Sequence, residues 1–243
     1  LADLPEASPG KRSAAAYWAH RVELRQGRTI ESVRYLEVSA REIDSFYGTV
    51  ARHALGQKID ISFDLPEIHD EFFSWLSRRP GGQRIFALLQ LGETHAAERE
   101  LRYLWKEMPD KYRFGVMRFA SERGMAGLSF RIAEIIRKDT GVSWYGALYP
   151  HPQFKAEYLI DEALVWSISR QESGFNPRAK SRAKAAGLMQ LMPSTASFIA
   201  RDRSYRDRKR HQLFEPALNL KLGQTYIQHL LDEQQNRHMP EQM

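Results

Sequence analysis

The 243-residue chain contains no cysteine. Disulfides, thiol nucleophiles and cysteine-ligated metals are therefore excluded. The compartment is not fixed by this, because exported proteins without disulfides are common. No apolar run approaches the roughly 18 residues of a helical membrane span, so no transmembrane segment is expected. The opening LADLPEASPGKRSAA lacks the basic start and apolar run of a signal peptide. A first residue other than Met points to a processed chain or a fragment. The eight histidines include no pair at i, i+4 beside a carboxylate, which gives metal catalysis no support. There is no Gly-rich phosphate loop either. Neither a metal nor a cofactor is expected.

Charge of one sign is also scarce. Lys and Arg number 36 against 30 Asp and Glu, for a formal net charge of +6. So mild an excess fits an anionic partner, or none. The most basic stretch, RDRSYRDRKRH at 201–211, holds six Lys or Arg and one Tyr. Its two aspartates neutralise part of that charge, so it reads as a solvated loop, and no nucleic-acid partner is expected. Apolar residues make up 42% and charged residues 27%, which is ordinary for a globular protein.

Strand signals are nearly absent, apart from a short alternation KIDISF at 58–63. Helical spacing dominates, and the fold class is all-α. One helix is expected over 11–26, apolar through Tyr17, Trp18, Val22 and Leu24 and stopped by Gly27. Another is expected over 40–55, with Ile43, Phe46, Tyr47, Val50 and Leu55. EIHDEFFSWLSRR, QRIFALLQLG, THAAERELRYLWKEMP and GLSFRIAEIIRKDTG follow, most of them separated by Gly or Pro. Short helical hairpins in series are the pattern of an α-solenoid, here an irregular one without a strict period. The aromatics Trp18, Phe46, Tyr47, Phe72, Phe73, Trp75, Tyr103 and Trp105 are expected in helix–helix core. GVSWYGALYPHPQF at 141–154 lacks helical spacing and reads as a linker near residue 145. Two regions result, 1–145 and 146–243.

The chemistry concentrates in RQESGFNPRAKSRAKAAGLMQLMPSTA, 170–196. Asp161 can cap a helix running to about Ser173, ended by Gly174 and the Asn176–Pro177 pair. Leu164, Ile168 and Glu172 then share the stripe expected to face the interior, flanked by Val165 and Ser169. Burial and the negative end of the helix dipole would both favour the protonated form of Glu172, as a general acid requires. Gly187 would let backbone approach a ligand closely. Gln190 offers a donor and acceptors for sugar hydroxyls or an N-acetyl group. A carboxylic acid facing a glycine-flanked glutamine suggests a glycan site.

A glycosidase would use a second carboxylate about 5 to 9.5 Å away. Asp161 lies roughly 16 Å off along the helix. Asp202 and Asp207 are expected to pair with neighbouring arginines, and Glu215 is a further downstream candidate. No second carboxylate stands out. A single-carboxylate glycan enzyme can instead use the substrate's own N-acetyl oxygen as nucleophile.

These residues resemble the catalytic core of the soluble lytic transglycosylases, in the lysozyme-like superfamily. The family's Glu-Ser motif is matched by Glu172 and Ser173, and the following aromatic and Asn-Pro by Phe175, Asn176 and Pro177. Its Gly-Leu-Met-Gln motif is matched by Gly187, Leu188, Met189 and Gln190. Met192, Pro193, Thr195 and Ala196 complete that segment. LYPHPQF, LFEPALNLKLGQTYIQHLL and, more loosely, SFYGTVARHALG at 45–56 also resemble the family.

The resemblance implies a helical superhelix followed by a lysozyme-like domain, here 1–145 and 146–243. It implies a periplasmic enzyme acting on peptidoglycan glycan strands. Such enzymes cleave the β-1,4 bond from N-acetylmuramic acid to N-acetylglucosamine without water, leaving a 1,6-anhydro end. Glu172 would be acid and then base. Ser173 would orient the carboxyl or the glycan, and Gly187, Gln190 and the Met189 backbone would line the sugar subsites. The family's third motif, Ala-Tyr-Asn-x-Gly, is not found where the chain reads LLDEQQNRHMPEQM. The expectation is therefore a partial domain with a more solvated Glu172 and weak or no activity. The last helix would expose Leu222, Tyr226, Ile227 and Leu230. The alternative is a non-catalytic helical scaffold that binds peptidoglycan or a protein. Oligomeric state is not legible in the sequence.

Overall fold

The computed structural model describes residues 7–154 and 156–238, with side chains to residue 234 in the last helix. The chain falls into two compact units, Leu1–Ser62 and Phe63–Met243.

The first unit holds α1 (Pro9–Arg25), α2 (Thr29–Ala40) and α3 (Phe46–Ala54). Helix α1 buries Ser13 and Ala16 rather than its aromatic side. Trp18, Val22 and Leu24 stand outward, Trp18 at 57% exposure. The reason is a seam of small residues that lets the α1 and α2 backbones approach. Ser13 and Ser39 lie on it, their hydroxyl oxygens 3.0 Å apart, and each also donates to the other's carbonyl. Four polar groups are thus satisfied in a space too tight for a ring. Helix α2 was not expected from the sequence. Helix α3 starts later than expected, at Phe46, because Ser45 caps it by accepting from the Gly48 N–H at 2.9 Å. Phe46 and Trp18 are exposed rather than core residues.

The second unit continues with α4 (Asp70–Ser77), α5 (Pro80–Gln90), α6 (Thr94–Leu104), α7 (Arg113–Glu122), α8 (Ala126–Thr140) and α9 (Tyr145–Leu148). Neighbours in sequence pack as pairs, α5 with α6 and α7 with α8. Their apolar stripes meet in one core that includes Phe72, Leu76, Ile85, Leu101, Phe119, Leu128 and Ile132. Each such side chain contributes about 1.5 to 3 kcal/mol on full burial. Of the aromatics expected in core, Phe72 is buried, and Phe73, Trp75 and Trp105 pack against this core half-covered, whereas Tyr103 is exposed. Helix α7 had been passed over in the sequence. The supposed linker contains α9, whose Ala147 and Leu148 are buried in the same core.

Then come α10 (Glu162–Ser173), α11 (Pro193–Ile199) and α12 (Pro216–His238), with two 3-10 turns before α12. No strand forms among the described residues, and 58–63 is neither helix nor strand. Only isolated bridges tie Ala186 to Lys180 and to Leu191. Helix α12 does not expose the whole apolar face expected of it. Leu222 is buried in a small core with Leu213 and Tyr205, and Ile227 packs beside Trp166 and Phe175. Leu230 remains exposed. The residues after 238, in the stretch searched for a third motif, lie outside the described chain. No helix among the described residues is long and apolar enough to cross a membrane.

Candidate active site

Helix α10 is fixed at both ends. At its start Asp161 accepts from the Leu164 N–H at 3.1 Å. Glu162 beside it accepts from the Trp166 indole and meets His151 Nε2, both at 3.1 Å. The Trp166 hydrogen bond, followed by one from Tyr158, holds the Glu162 carboxyl below its ordinary value. At its end Gly174 turns left-handed, with φ of 56°, and its N–H closes on the Arg170 carbonyl at 3.0 Å. A side chain there would be strained, which is why glycine stands at the exit.

The buried face of α10 is Val165, Trp166 and Ser169. The interior stripe is thus turned by one residue from the expected one. Leu164 is 41% exposed, and Glu172 is exposed on the flank. The burial that was to favour a protonated Glu172 is therefore not present. Its place in the last turn, near the negative end of the helix dipole, stands.

Glu172 opens into a groove of 630 Å³. Ser173 and Gln190 line it too, so the two motifs meet in one groove. Ser173 Oγ donates back to the Ser169 carbonyl at 2.9 Å. Its proton is committed to the helix, and what it can present is lone pairs. Gln190 sits at a φ of 47°, rare for a side-chain-bearing residue. Its Nε2 donates to the Gly187 and Ala179 carbonyls at 2.8 and 3.1 Å. The amide nitrogen thus closes its own loop, and Oε1 is the atom it can offer a ligand.

Gly187 and Met189 are not among the residues lining the groove. A Cβ on Gly187 would fall 2.2 Å from Asn219 Nδ2 and 2.3 Å from the Leu213 carbonyl. Glycine is required there by the protein's own packing rather than by a ligand. The Met189 N–H is taken by Asn219 Oδ1 at 2.8 Å, and the Met189 side chain is buried. Asn219 is the residue that sequence reasoning missed. It is fully buried, and its Nδ2 also donates to the Ala186 and Leu213 carbonyls at 2.9 and 2.8 Å. Three bonds from one side chain on α12 thus hold the loop that carries Gln190. An amide inside the otherwise apolar run PALNLKL was the signal.

Two other carboxylates need placing. Glu134, on α8, lines the groove with Glu172 and was not expected there. It pairs with Arg137 at 2.9 Å and Arg170 at 3.7 Å, so its charge is already engaged. Asp202 pairs with Lys209 at 2.8 Å, not with an arginine, and caps its own turn through the Ser204 N–H. In the same segment the one tyrosine, Tyr205, is buried and does not serve as a stacking platform.

A larger cavity, 1110 Å³, lies elsewhere. It is lined by residues such as Leu89, His95, Gln153 and Arg178 and shares no lining residue with the Glu172 groove. Volume alone does not mark the chemistry; the converging motif residues do. Among the described residues no three His, Asp or Glu gather so as to hold a metal ion.

Comparison with known proteins finds similarity in sequence and in fold. The transglycosylase SLT domain family matches residues 153–240. The soluble lytic murein transglycosylase of Salmonella typhimurium is 27% identical over 231 residues, covering 89% of this chain. The chain spans only 34% of that relative's length. The membrane-bound lytic murein transglycosylase C of Mannheimia succiniciproducens is 43% identical over 84 residues, 33% of this chain and 23% of its own length. The crystal structure of the 70 kDa soluble lytic transglycosylase of Escherichia coli shares the fold. Its TM-score is 0.72 at 22% identity, over 96% of this chain and 38% of that one. Residues 153–240 accordingly match the transglycosylase SLT domain, and the chain as a whole is similar to part of the soluble lytic murein transglycosylases.

Proposed function

We propose that the chain carries the catalytic glutamate of a peptidoglycan lytic transglycosylase, and that Glu172 is its acid and base. The observation that carries this reading is the groove itself. One exposed carboxylate at a helix end lines the same groove as Gln190, inside the segment matched to the family. Glu172 protonates the glycosidic oxygen as the bond to N-acetylglucosamine breaks. Its carboxylate then takes the proton from the muramyl 6-hydroxyl as that oxygen closes on the anomeric carbon. One group serves twice, so no second ionised carboxylate is needed. Glu134, engaged by two guanidinium groups, is not assigned the role of nucleophile. Gln190 Oε1 and the lone pairs of Ser173 accept hydrogen bonds from the sugar, while Gly187 and Met189 act through the loop they build.

In this reading residues 146–243 form the catalytic part and 1–145 the helical support. The substrate is the glycan strand, and the location is the periplasm, where such strands lie. A soluble lytic transglycosylase whose structure is known in complex with bulgecin A shares this fold over 97% of the chain.

The test is digestion of purified sacculi with the chain and with Glu172→Gln, read by mass spectrometry. Any products one water lighter than hydrolysis products are expected to come from the first and not from the second, at a rate that also tests the weak activity expected from the sequence. Equal product from both would remove Glu172 from the mechanism.

A further inference from the structure

The densest charge in the chain lies outside the Glu172 groove. Residues 201–211 hold six Lys or Arg against two Asp, a net +4 in a chain whose total is +6. None of these residues lines the groove. Lys209 has an acidic partner, Asp202 at 2.8 Å. Arg201, Arg203, Arg206 and Arg208 are exposed, and among the described residues none of the four meets a carboxylate within ion-pair distance. The segment is built all the same. Arg203–Arg206 and Arg210–Phe214 are 3-10 turns, and they are pinned by Tyr205 and Leu213, which are buried in one small core with Leu222. Asp202 Oδ1 accepts the Ser204 N–H at 2.9 Å. The Ser204 carbonyl receives the Lys209 and Asp207 N–H groups at 2.9 and 3.1 Å. Side chains three apart in a 3-10 turn eclipse one another. Arg203 and Arg206 thus stand on one side of the turn while Tyr205 enters the core.

An apolar side chain adjoins this charge. Phe198, in the last turn of α11, is 60% exposed. Its carbonyl accepts the Arg201 N–H at 3.2 Å, so the helix ends where the arginines begin. Its ring meets that of His229 on α12, with centres 5.3 Å apart. Unpaired guanidinium groups crowded together repel one another, and an anionic partner relieves that repulsion. Single-stranded nucleic acid would also use an exposed ring among the cations for stacking, but the one ring of the segment, Tyr205, is buried. A bilayer asks for a different set: guanidinium groups that pair with headgroup phosphates, and an apolar side chain that enters beside them. Four unpaired arginines next to an exposed phenylalanine supply that set.

We propose that residues 201–210, together with Phe198, form a docking surface for an anionic lipid bilayer. The chain lies on the membrane through this face and does not cross it, in keeping with the lack of a spanning helix among the described residues. The arginines take the lipid phosphates, and Phe198 enters the headgroup layer. The inference stands apart from the catalytic reading, because no part of it depends on Glu172 or on the glycan.

The experiment is co-sedimentation of the full chain with two kinds of vesicle, phosphatidylcholine alone and an equal mixture of phosphatidylcholine and phosphatidylglycerol. Binding is expected to the mixed vesicles and not to phosphatidylcholine, and is expected to weaken as salt is added. A basic residue near an anionic membrane contributes about fivefold in partition, so Arg203→Gln with Arg206→Gln should lower binding about 25-fold. Phe198→Ala should lower it about tenfold, the scale of partly burying one aromatic side chain. Arg21→Gln with Arg25→Gln removes the same charge from exposed positions on α1 and is expected to leave binding unchanged. All the replaced side chains are exposed, and a melting curve confirms that each variant is folded. Equal binding to both kinds of vesicle, or to neither, overturns the docking surface. An equal loss in the Arg21 and Arg25 variant shows that net charge alone is at work, and overturns it too. Displacement from the vesicles by duplex DNA, together with no effect of Phe198→Ala, shows a general polyanion patch in place of a lipid surface.

Discussion

Asn219 and Glu172 divide the site between support and chemistry. Asn219 Oδ1 receives the Met189 N–H, and its Nδ2 serves two carbonyls, all within 2.9 Å and away from water. Replacing it with alanine leaves the buried Met189 N–H and Leu213 carbonyl without this partner, while the Ala186 carbonyl keeps the Leu191 N–H at 3.0 Å, and opens a small cavity. Asn219→Ala is expected to lower unfolding stability by about 3 kcal/mol, measured by denaturant titration. A loss under about 1 kcal/mol would mean that water replaces the amide and that the loop is not held from α12. At this scale the sequence was legible where a motif exists. Glu172, Ser173 and Gln190, singled out by their motifs, line one groove. Asn219 and Glu134 were not legible, because what ties each to the site, Asn219 to Met189 and Glu134 to Arg170, lies 30 or more positions away in the chain. No local pattern states such a contact.

Among the elements, helices read from periodicity were mostly present and the faces assigned to them were sometimes wrong. The α1 stripe of Tyr17, Trp18, Val22 and Leu24 looked like a core face. The serine and alanine seam won instead, because close backbone approach with paired hydroxyls excludes bulky rings. The α10 face missed by one residue, which was enough to move Glu172 from interior to surface. A stripe 100° wide leaves that ambiguity whenever both flanks carry mixed residues, as Leu164 and Val165 do.

The turn at Arg203–Arg206 allows a sharper test. Hydrogen bonds from Lys209 and then Ser204 hold the Asp202 carboxyl well below the usual carboxylate range. A group depressed on folding adds stability above its unfolded value, near 3.9, and loses it as pH falls through the folded value. Asp202→Asn is therefore expected to lower the melting temperature by a constant amount between about pH 5 and 8. The gap should narrow below about pH 4. Lys209, raised chiefly by its hydrogen bond to Asp202, should lose its contribution only as pH climbs past about 10.4. A gap that widens in acid would contradict the pairing. The effect will be small, because both groups are open to solvent.

At the scale of the whole molecule, the all-α class and the helical support were legible because helices of this length announce themselves by period and by their Gly and Pro stops. The division into compact units was less legible. Composition placed a break near residue 145, where Ala147 and Leu148 prove to be core, while the units part at Ser62 and Phe63. A stretch with two prolines and four aromatics looks like a linker in one dimension and serves as packing in three. Three of the chain's basic side chains, Arg137, Arg170 and Lys180, line the groove with Glu172, a placement that the mild net charge of +6 does not reveal.

The central claim is that Glu172 breaks a glycosidic bond without adding water. Digestion of sacculi in water labelled with heavy oxygen addresses it most directly. The account predicts products that carry no label and end in an anhydro sugar, and their loss in Glu172→Gln. Label at the newly formed reducing end would show that water is the nucleophile, and would contradict a transglycosylase mechanism at this groove.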